Sequence, residues 1–207
     1  VGGLVGSLGW SSVASRSGLQ ALGLGWLAVL WSDPEVFFAH SETGGNVLMA
    51  AMAERAAKGI SGRSFRDPLE ALEAVFPEVH AFGKAITGNR RLTQTFTLNS
   101  LVSLDFALWT LFFRENRLGS FDDLIPPEFR PAFSVHQAQL ARVPVISYNT
   151  SREELVRLVD SGHFFLKIKL GQAGTAEEML AKDRERIREI HEALAGRRPG
   201  QTADGKI

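Results

Sequence analysis

The run Phe164-Phe165-Leu166-Lys167-Ile168-Lys169-Leu170-Gly171 places two lysines at alternate positions of a stretch otherwise suited to a core strand. Side chains alternate faces along an extended strand, so Lys167 and Lys169 share one face while Leu166, Ile168 and Leu170 share the other. The flanks fix the context. Ser151-Arg-Glu-Glu154 predicts a capping box that opens a helix, with Leu155, Leu158 and Val159 on one face and Gly162 at its end. Thr175-Ala-Glu-Glu178 predicts a second capping box, after which Leu180, Ile187, Ile190 and Leu194 recur at helical spacing until Gly196 stops the helix. A strand between two helices belongs to a βαβ unit, whose parallel strands are normally covered on both faces.

Two readings of the paired lysines follow. They stand on a solvated face, or they point into a sheet interior or barrel lumen because helices cover the face of Leu166, Ile168 and Leu170. In the second case an uncompensated ammonium group costs several kcal/mol. Two such groups roughly 7 Å apart by strand geometry lower each other's pKa, and a lysine tuned in this way is a candidate base.

Elsewhere the chain predicts ordinary globular structure. Its 23 basic and 23 acidic residues cancel, so no net field attracts nucleic acid or an anionic membrane, and neither is expected as a partner. The absence of cysteine excludes a disulfide framework and a thiolate metal site, which fits a cytoplasmic location. Leu19 to Trp31 is interrupted by glycine and glutamine and falls short of the roughly 18 residues of a membrane span. Residues 1 to about 25 are punctuated by glycine without helical or strand periodicity, and they hold no G-x-G-x-x-G phosphate loop. Trp26–Leu30 and Val36–Ala39 suggest a strand pair around a turn at Asp33-Pro34. Val47 to Lys58 predicts a helix. Asp67-Pro68-Leu-Glu70 opens another with an N-cap, a proline at the first helical position and an acidic first turn. Ser41-Glu42-Thr43-Gly44-Gly45 is a turn into a helix in preference to a loop bordering an active site.

Thr97 to Arg114 is apolar on nearly all sides, which predicts a helix buried between layers. Asp105 is the exception inside it, and a structural hydrogen bond is preferred to catalysis as its account. The five histidines show no H-x-x-x-H or H-E-x-x-H spacing and are expected to be packed or surface residues. Proline spacing between Pro126 and Pro144 marks a linker.

Val143-Pro-Val-Ile-Ser-Tyr148, a capped helix, Phe165-Leu-Lys167-Ile-Lys169-Leu-Gly171 and the charged Asp183-Arg-Glu-Arg-Ile187 together resemble the start of the barrel in the enolase superfamily. The nearest branches are the mandelate racemase and muconate lactonizing enzyme groups. Asn99-Ser-Leu-Val-Ser-Leu-Asp105-Phe-Ala-Leu-Trp109 is similar to the last long helix of that family's capping domain, and Phe121-Asp-Asp-Leu-Ile-Pro126 to the segment leading into its barrel. Thr110 stands where the family pattern often has an acidic residue.

The resemblance implies an α/β fold. An α+β capping domain would occupy residues 1–125, a linker 126–142, and the first two βα units of a TIM-type barrel 143–207. A whole barrel takes about 250 residues, so the expectation is a truncated barrel in a piece of a longer protein, with 200–205 as the loop before a third strand. The implied reaction is abstraction of the proton α to a substrate carboxylate, through an enediolate held by Mg2+, as in a racemase, epimerase, cycloisomerase or acid-sugar dehydratase. By position Lys169 matches the general base, and Lys167 the companion that stabilises the carboxylate and the intermediate. Ser147, Tyr148 and Asn149, at the carboxyl end of the first barrel strand, become candidate substrate contacts. The resemblance puts the metal ligands beyond Ile207 and none in this chain. It also implies a small carboxylate-bearing substrate and a possible homo-oligomer. The alternative is a non-catalytic α/β binding module in which Lys167 and Lys169 hold an acidic partner.

Overall fold

The computed structural model describes residues 2–5, 7–138 and 140–197. The expected loop at 200–205 and the approach to a third strand lie outside the described residues. The chain divides into two compact units, Val1–Ala132 and Phe133–Ile207.

The first unit begins with three antiparallel strands in the order β1 (Gly2–Val5), β2 (Leu8–Ala14) and β3 (Gln20–Trp26). This corrects the aperiodic reading of the first 25 residues. Strand periodicity is present in Gln20-Ala-Leu-Gly-Leu-Gly-Trp26, with Ala21, Gly23 and Gly25 buried and Leu22, Leu24 and Trp26 exposed. It is masked because the inward positions are small residues, not large apolar ones. A short helical turn α1 (Val29–Ser32) leads to α2 (Pro34–Ile60), α3 (Pro68–Thr87) and α4 (Gln94–Glu115). The one-turn helix α5 (Phe121–Leu124) then precedes a 3-10 turn at Arg130–Phe133. The core of this unit gathers Leu27, Val29, Val36, Met49, Met52, Val75, Val79, Phe96, Leu101 and Leu104.

Small residues set the distance between sheet and helix. A Cβ on Gly23 would fall onto the Ser103 carbonyl oxygen and the Ala107 nitrogen, and one on Gly25 would lie 2.7 Å from the Ser103 nitrogen. Backbone of α4 therefore rests almost directly on β3. Ser11 and Ser103 join their hydroxyls at 2.8 Å across the same interface. Only one side of α4 is buried; Leu98 and Phe106 are 56% and 60% exposed, where the sequence predicts a helix covered all round. By length and composition alone α4 could also cross a membrane.

The strand pair expected around Asp33-Pro34 does not form. Asp33 is the N-cap of α2, with Pro34 at the first helical position and Glu35 in the first turn, the same device the sequence displays openly at Asp67-Pro68. The Asp33 carboxylate is buried and accepts hydrogen bonds from the Val36 nitrogen (3.2 Å), the Thr93 nitrogen (2.9 Å) and Asn89 Nδ2 (3.4 Å). Within α2 the backbone breaks at Ser41, with φ 63° and ψ 176°, and Gly44 nitrogen reaches back to Ser41 Oγ at 3.4 Å. The segment 41–45 thus restarts a helix. Glu42 turns back to accept from the Val29 and Leu30 nitrogens at the start of α1.

In the second unit β4 (Val145–Ile146) and β5 (Lys167–Ile168) pair in parallel, connected by α6 (Arg152–Asp160) and followed by α7 (Ala176–Ala193). The capping box at Thr175 and Glu178 is complete, whereas Ser151 caps α6 through the Glu154 nitrogen. Ile146, Leu155, Ile190 and Ala193 form the core, with Leu158, Leu166, Ile168 and Leu194 packed against it. Leu170, Leu180 and Ile187, expected on covered faces, are exposed among the described residues.

Three stability outcomes follow. Asp33→Ala strands several donors and should cost about 3 kcal/mol in urea unfolding, with Asp33→Asn losing less. Gly23→Ala should force α4 off the sheet and cost about 1–3 kcal/mol in the same measurement. For Asp105, burial holds the carboxyl above its ordinary pKa while a hydrogen bond from the Trp109 side chain opposes the shift. A raised folded-state pKa means that the contribution is most favourable below the ordinary carboxylate pKa and is lost as pH rises through the raised value. Asp105→Asn should therefore gain stability over the native chain as pH rises through that window and hold the gain at neutral pH.

Candidate functional site

Parallel pairing brings the singled-out residues to one end of a two-stranded sheet. Val145 lies opposite Lys167 and Ile146 opposite Ile168. The Lys167 nitrogen donates to the Pro144 oxygen (3.0 Å) and the Lys169 nitrogen to the Ile146 oxygen (2.9 Å). These bonds fix the alternation: Ile168 packs on Ile146 and the α6–α7 core, while Lys167 and Lys169 are exposed on the opposite side. Ser147 and Lys169 are each one step beyond the paired residues, at the carboxyl ends of their strands.

The segment after β4 is a tight turn held from within and from α7. The Ser147 nitrogen donates to Thr150 Oγ1 at 3.0 Å, and the two hydroxyls lie 3.2 Å apart. Arg186 Nη2 donates to the carbonyl oxygens of Ser147 (3.2 Å) and Thr150 (2.8 Å). This guanidinium is largely buried, its side chain only 15% exposed, and it satisfies carbonyls that no strand partner reaches. Asn149 is exposed at the tip.

The segment after β5 is held by the same helix. The Gly171 nitrogen donates to Asp183 Oδ2 at 2.8 Å, and Lys182 Nζ to the Ala173 oxygen at 2.8 Å. Gly171 has φ +97°, a conformation that glycine adopts freely and other residues do not. Asp183 and Arg186, three residues apart on one face of α7, thus hold the two loops that carry Tyr148 and follow Lys169. In the sequence, Asp183-Arg-Glu-Arg-Ile187 reads as a charged helix. The signal that could have singled out Asp183 and Arg186 is their i, i+3 spacing beneath two strand ends.

Tyr148 does not expose its hydroxyl. Its Oη is buried without a hydrogen-bond partner, as is Asp183 Oδ1. Burial pushes the Tyr148 hydroxyl above its ordinary pKa, and the charge of Asp183 adds to the shift.

Two of the five histidines bond within the first unit. His40 Nε2 lies 3.0 Å from the Thr87 oxygen and His80 Nδ1 2.8 Å from Thr97 Oγ1, both in the first unit. Burial, with the charge of Lys84, lowers the His80 pKa. A cavity of about 640 Å³ also belongs to the first unit, bordered by Trp10, Ser11, Met49, Ser103 and Leu104. It is largely apolar. Among the described residues no group of three or more His, Cys, Asp or Glu side chains could hold a metal ion. The described residues therefore do not supply a ligand set for magnesium.

No family model matches the chain, and no curated protein matches it. Among solved structures it is similar to a dipeptide epimerase from Enterococcus faecalis complexed with Mg and the dipeptide L-Leu-L-Tyr, at 16% identity and a TM-score of 0.48 over 92% of this chain and 43% of that one. It is also similar to a mandelate racemase/muconate lactonizing enzyme from Roseiflexus sp., at 19% identity and a TM-score of 0.48 over 96% of this chain and 49% of that one. The chain thus spans about half the length, or slightly less, of these two solved structures.

Proposed function

We propose that this chain supplies the capping domain and the first two βα units of a barrel enzyme that abstracts the proton α to a substrate carboxylate. The observation that carries the reading is the parallel β4–β5 pair, with Lys167 and Lys169 on one open face, Lys169 just past the carboxyl end of β5 and the Ser147–Asn149 turn just past that of β4. In parallel-strand barrels that is the end where chemistry is assembled. The domain assignment, 1–125 for the cap and 143–207 for the start of the barrel, belongs to the same proposal.

In this reading Lys169 is the general base and Lys167 adds positive charge beside the developing enediolate. An exposed pair on a two-stranded sheet is not yet a dry site, so the covering strands would come from residues outside this chain. Ser147 and Asn149, on the turn that follows β4, are offered as substrate contacts. Tyr148 belongs to the same turn through its ring and backbone. The residues of this chain position the base, supply the second cation and shape the loop beside it. Racemase, epimerase, cycloisomerase and dehydratase outcomes all include a proton transfer at the α-carbon, and a small carboxylate substrate is common to them.

The test is α-proton exchange with deuterated water in the active protein that carries this chain. Lys169→Ala should reduce exchange by about 10²-fold or more, and Lys169→Arg should not restore it, because guanidinium does not deprotonate at working pH. Lys167→Ala should lower turnover by a smaller factor. Undiminished exchange in Lys169→Ala would remove the residue as base. A second reading, a binding module whose two lysines hold an acidic partner, is favoured by their exposure; it gains if both lysine variants lose partner capture while no exchange occurs in the unmutated protein.

A further inference from the structure

Three buried side-chain polar atoms among the described residues lack a hydrogen-bond partner: Asn46 Oδ1, Tyr148 Oη and Asp183 Oδ1. Two of the three converge on one place. Asp183 Oδ2 accepts from the Gly171 nitrogen at 2.8 Å, and Tyr148 Oη lies 3.9 Å from the point where a Cβ on Gly171 would sit. Leaving both a buried hydroxyl and a buried carboxylate oxygen unpaired is unfavourable for each group. One group has a proton to donate and the other accepts. Gly171 follows Lys169 by two residues, so whatever fixes Gly171 also fixes the chain that carries the lysine.

We propose that Tyr148 Oη donates across one water to Asp183 Oδ1, and that with the Gly171 amide on Oδ2 this forms a clamp that makes Tyr148 and Asp183 positioning residues for Lys169. The clamp spans three elements: the turn after β4, the turn after β5 and the helix α7. Its cationic surroundings are Arg186, which holds the Ser147 and Thr150 carbonyls, and Lys182, which holds the Ala173 carbonyl. Both cations are already engaged with backbone oxygens, which leaves Asp183 Oδ1 to the tyrosine. Glycine at 171 suits the arrangement through its positive φ. The clamp stands on geometry alone; its consequence for Lys169 rests on the proton-abstraction reading above.

Tyr148 is the single tyrosine of the chain, so tyrosinate absorbance during an alkaline titration reads this one group. The titration midpoint should lie above that of free tyrosine. Asp183→Asn, which removes the charge and keeps the shape, should move it down toward the ordinary value with circular dichroism unchanged. Hydrogen exchange at the Gly171 amide should speed up by about tenfold or more in Tyr148→Phe and Asp183→Asn. An ordinary midpoint in the unmutated protein overturns the clamp. So does a midpoint that ignores Asp183→Asn, or a Gly171 amide that exchanges at the unmutated rate in both variants.

In the active protein Tyr148→Phe should lower kcat for α-proton exchange by about tenfold and shift the pH profile of that exchange, with KM changed by less than about threefold. If the unmutated protein shows no exchange, the functional reading fails while the titration still decides the clamp. If exchange is present and Tyr148→Phe leaves its rate and pH profile untouched, the positioning role is wrong even where the clamp forms.

Discussion

A carboxylate buried without a cation survives only if neighbouring donors replace water, and Asp33 meets that condition by joining segments far apart in sequence. Its oxygens take the Val36 nitrogen at the start of α2 and, about 60 residues on, the Asn89 amide and the Thr93 nitrogen. Thr93 in turn caps α4 through the Phe96 nitrogen and donates its hydroxyl to the Ser32 oxygen at 2.6 Å. Asn99, one turn into α4, accepts from the Ala28 nitrogen and donates to the Trp26 oxygen. Each of these bonds satisfies a helix-end or loop group that would otherwise be stranded. Together they set where α4 starts relative to β3, so that Gly23 and Gly25 meet its backbone in register.

The second unit solves a related problem with fewer residues. Its sheet has only two short strands, too little backbone pairing to hold two loops in place. Helix α7 supplies the missing anchors, Asp183 to the Gly171 amide and Arg186 to the Ser147 and Thr150 carbonyls. Apolar packing of Ile190 and Ala193 against Ile146 and Leu155 fixes the helix position, and the polar residues one and two turns earlier then reach the strand ends. The order of these effects matters for function. A candidate base is useful only if the backbone beneath it does not move, and here that backbone is tied to a packed helix.

Much of the second unit was legible. Two capping motifs, helical apolar spacing and a strand with alternating lysines are all local signals, and local signals survive reading one residue at a time. The β4–β5 strands are shorter than the apolar run suggested, because pairing needs a partner and only Val145 and Ile146 provide one. The first 25 residues were illegible for the opposite reason. Their strand alternation uses alanine, glycine and serine inward, residues whose burial depends on a helix that arrives some 80 positions later. At Asp33-Pro34 the cap signal was present but competed with a turn reading, and the buried partners at 89 and 93 decided it.

The sequence by itself determined the helix starts at Asp67, Ser151 and Thr175, the βαβ order, and the shared side of Lys167 and Lys169, because each depends on neighbours within a few residues. Only the tertiary structure decided that Tyr148 turns its hydroxyl inward, that Asp183 and Arg186 serve the loops, and that α4 buries one side and leaves Leu98 and Phe106 outside. Those outcomes rest on contacts between residues tens of positions apart, where burial and hydrogen-bond satisfaction are settled by packing and leave no periodic mark in the chain.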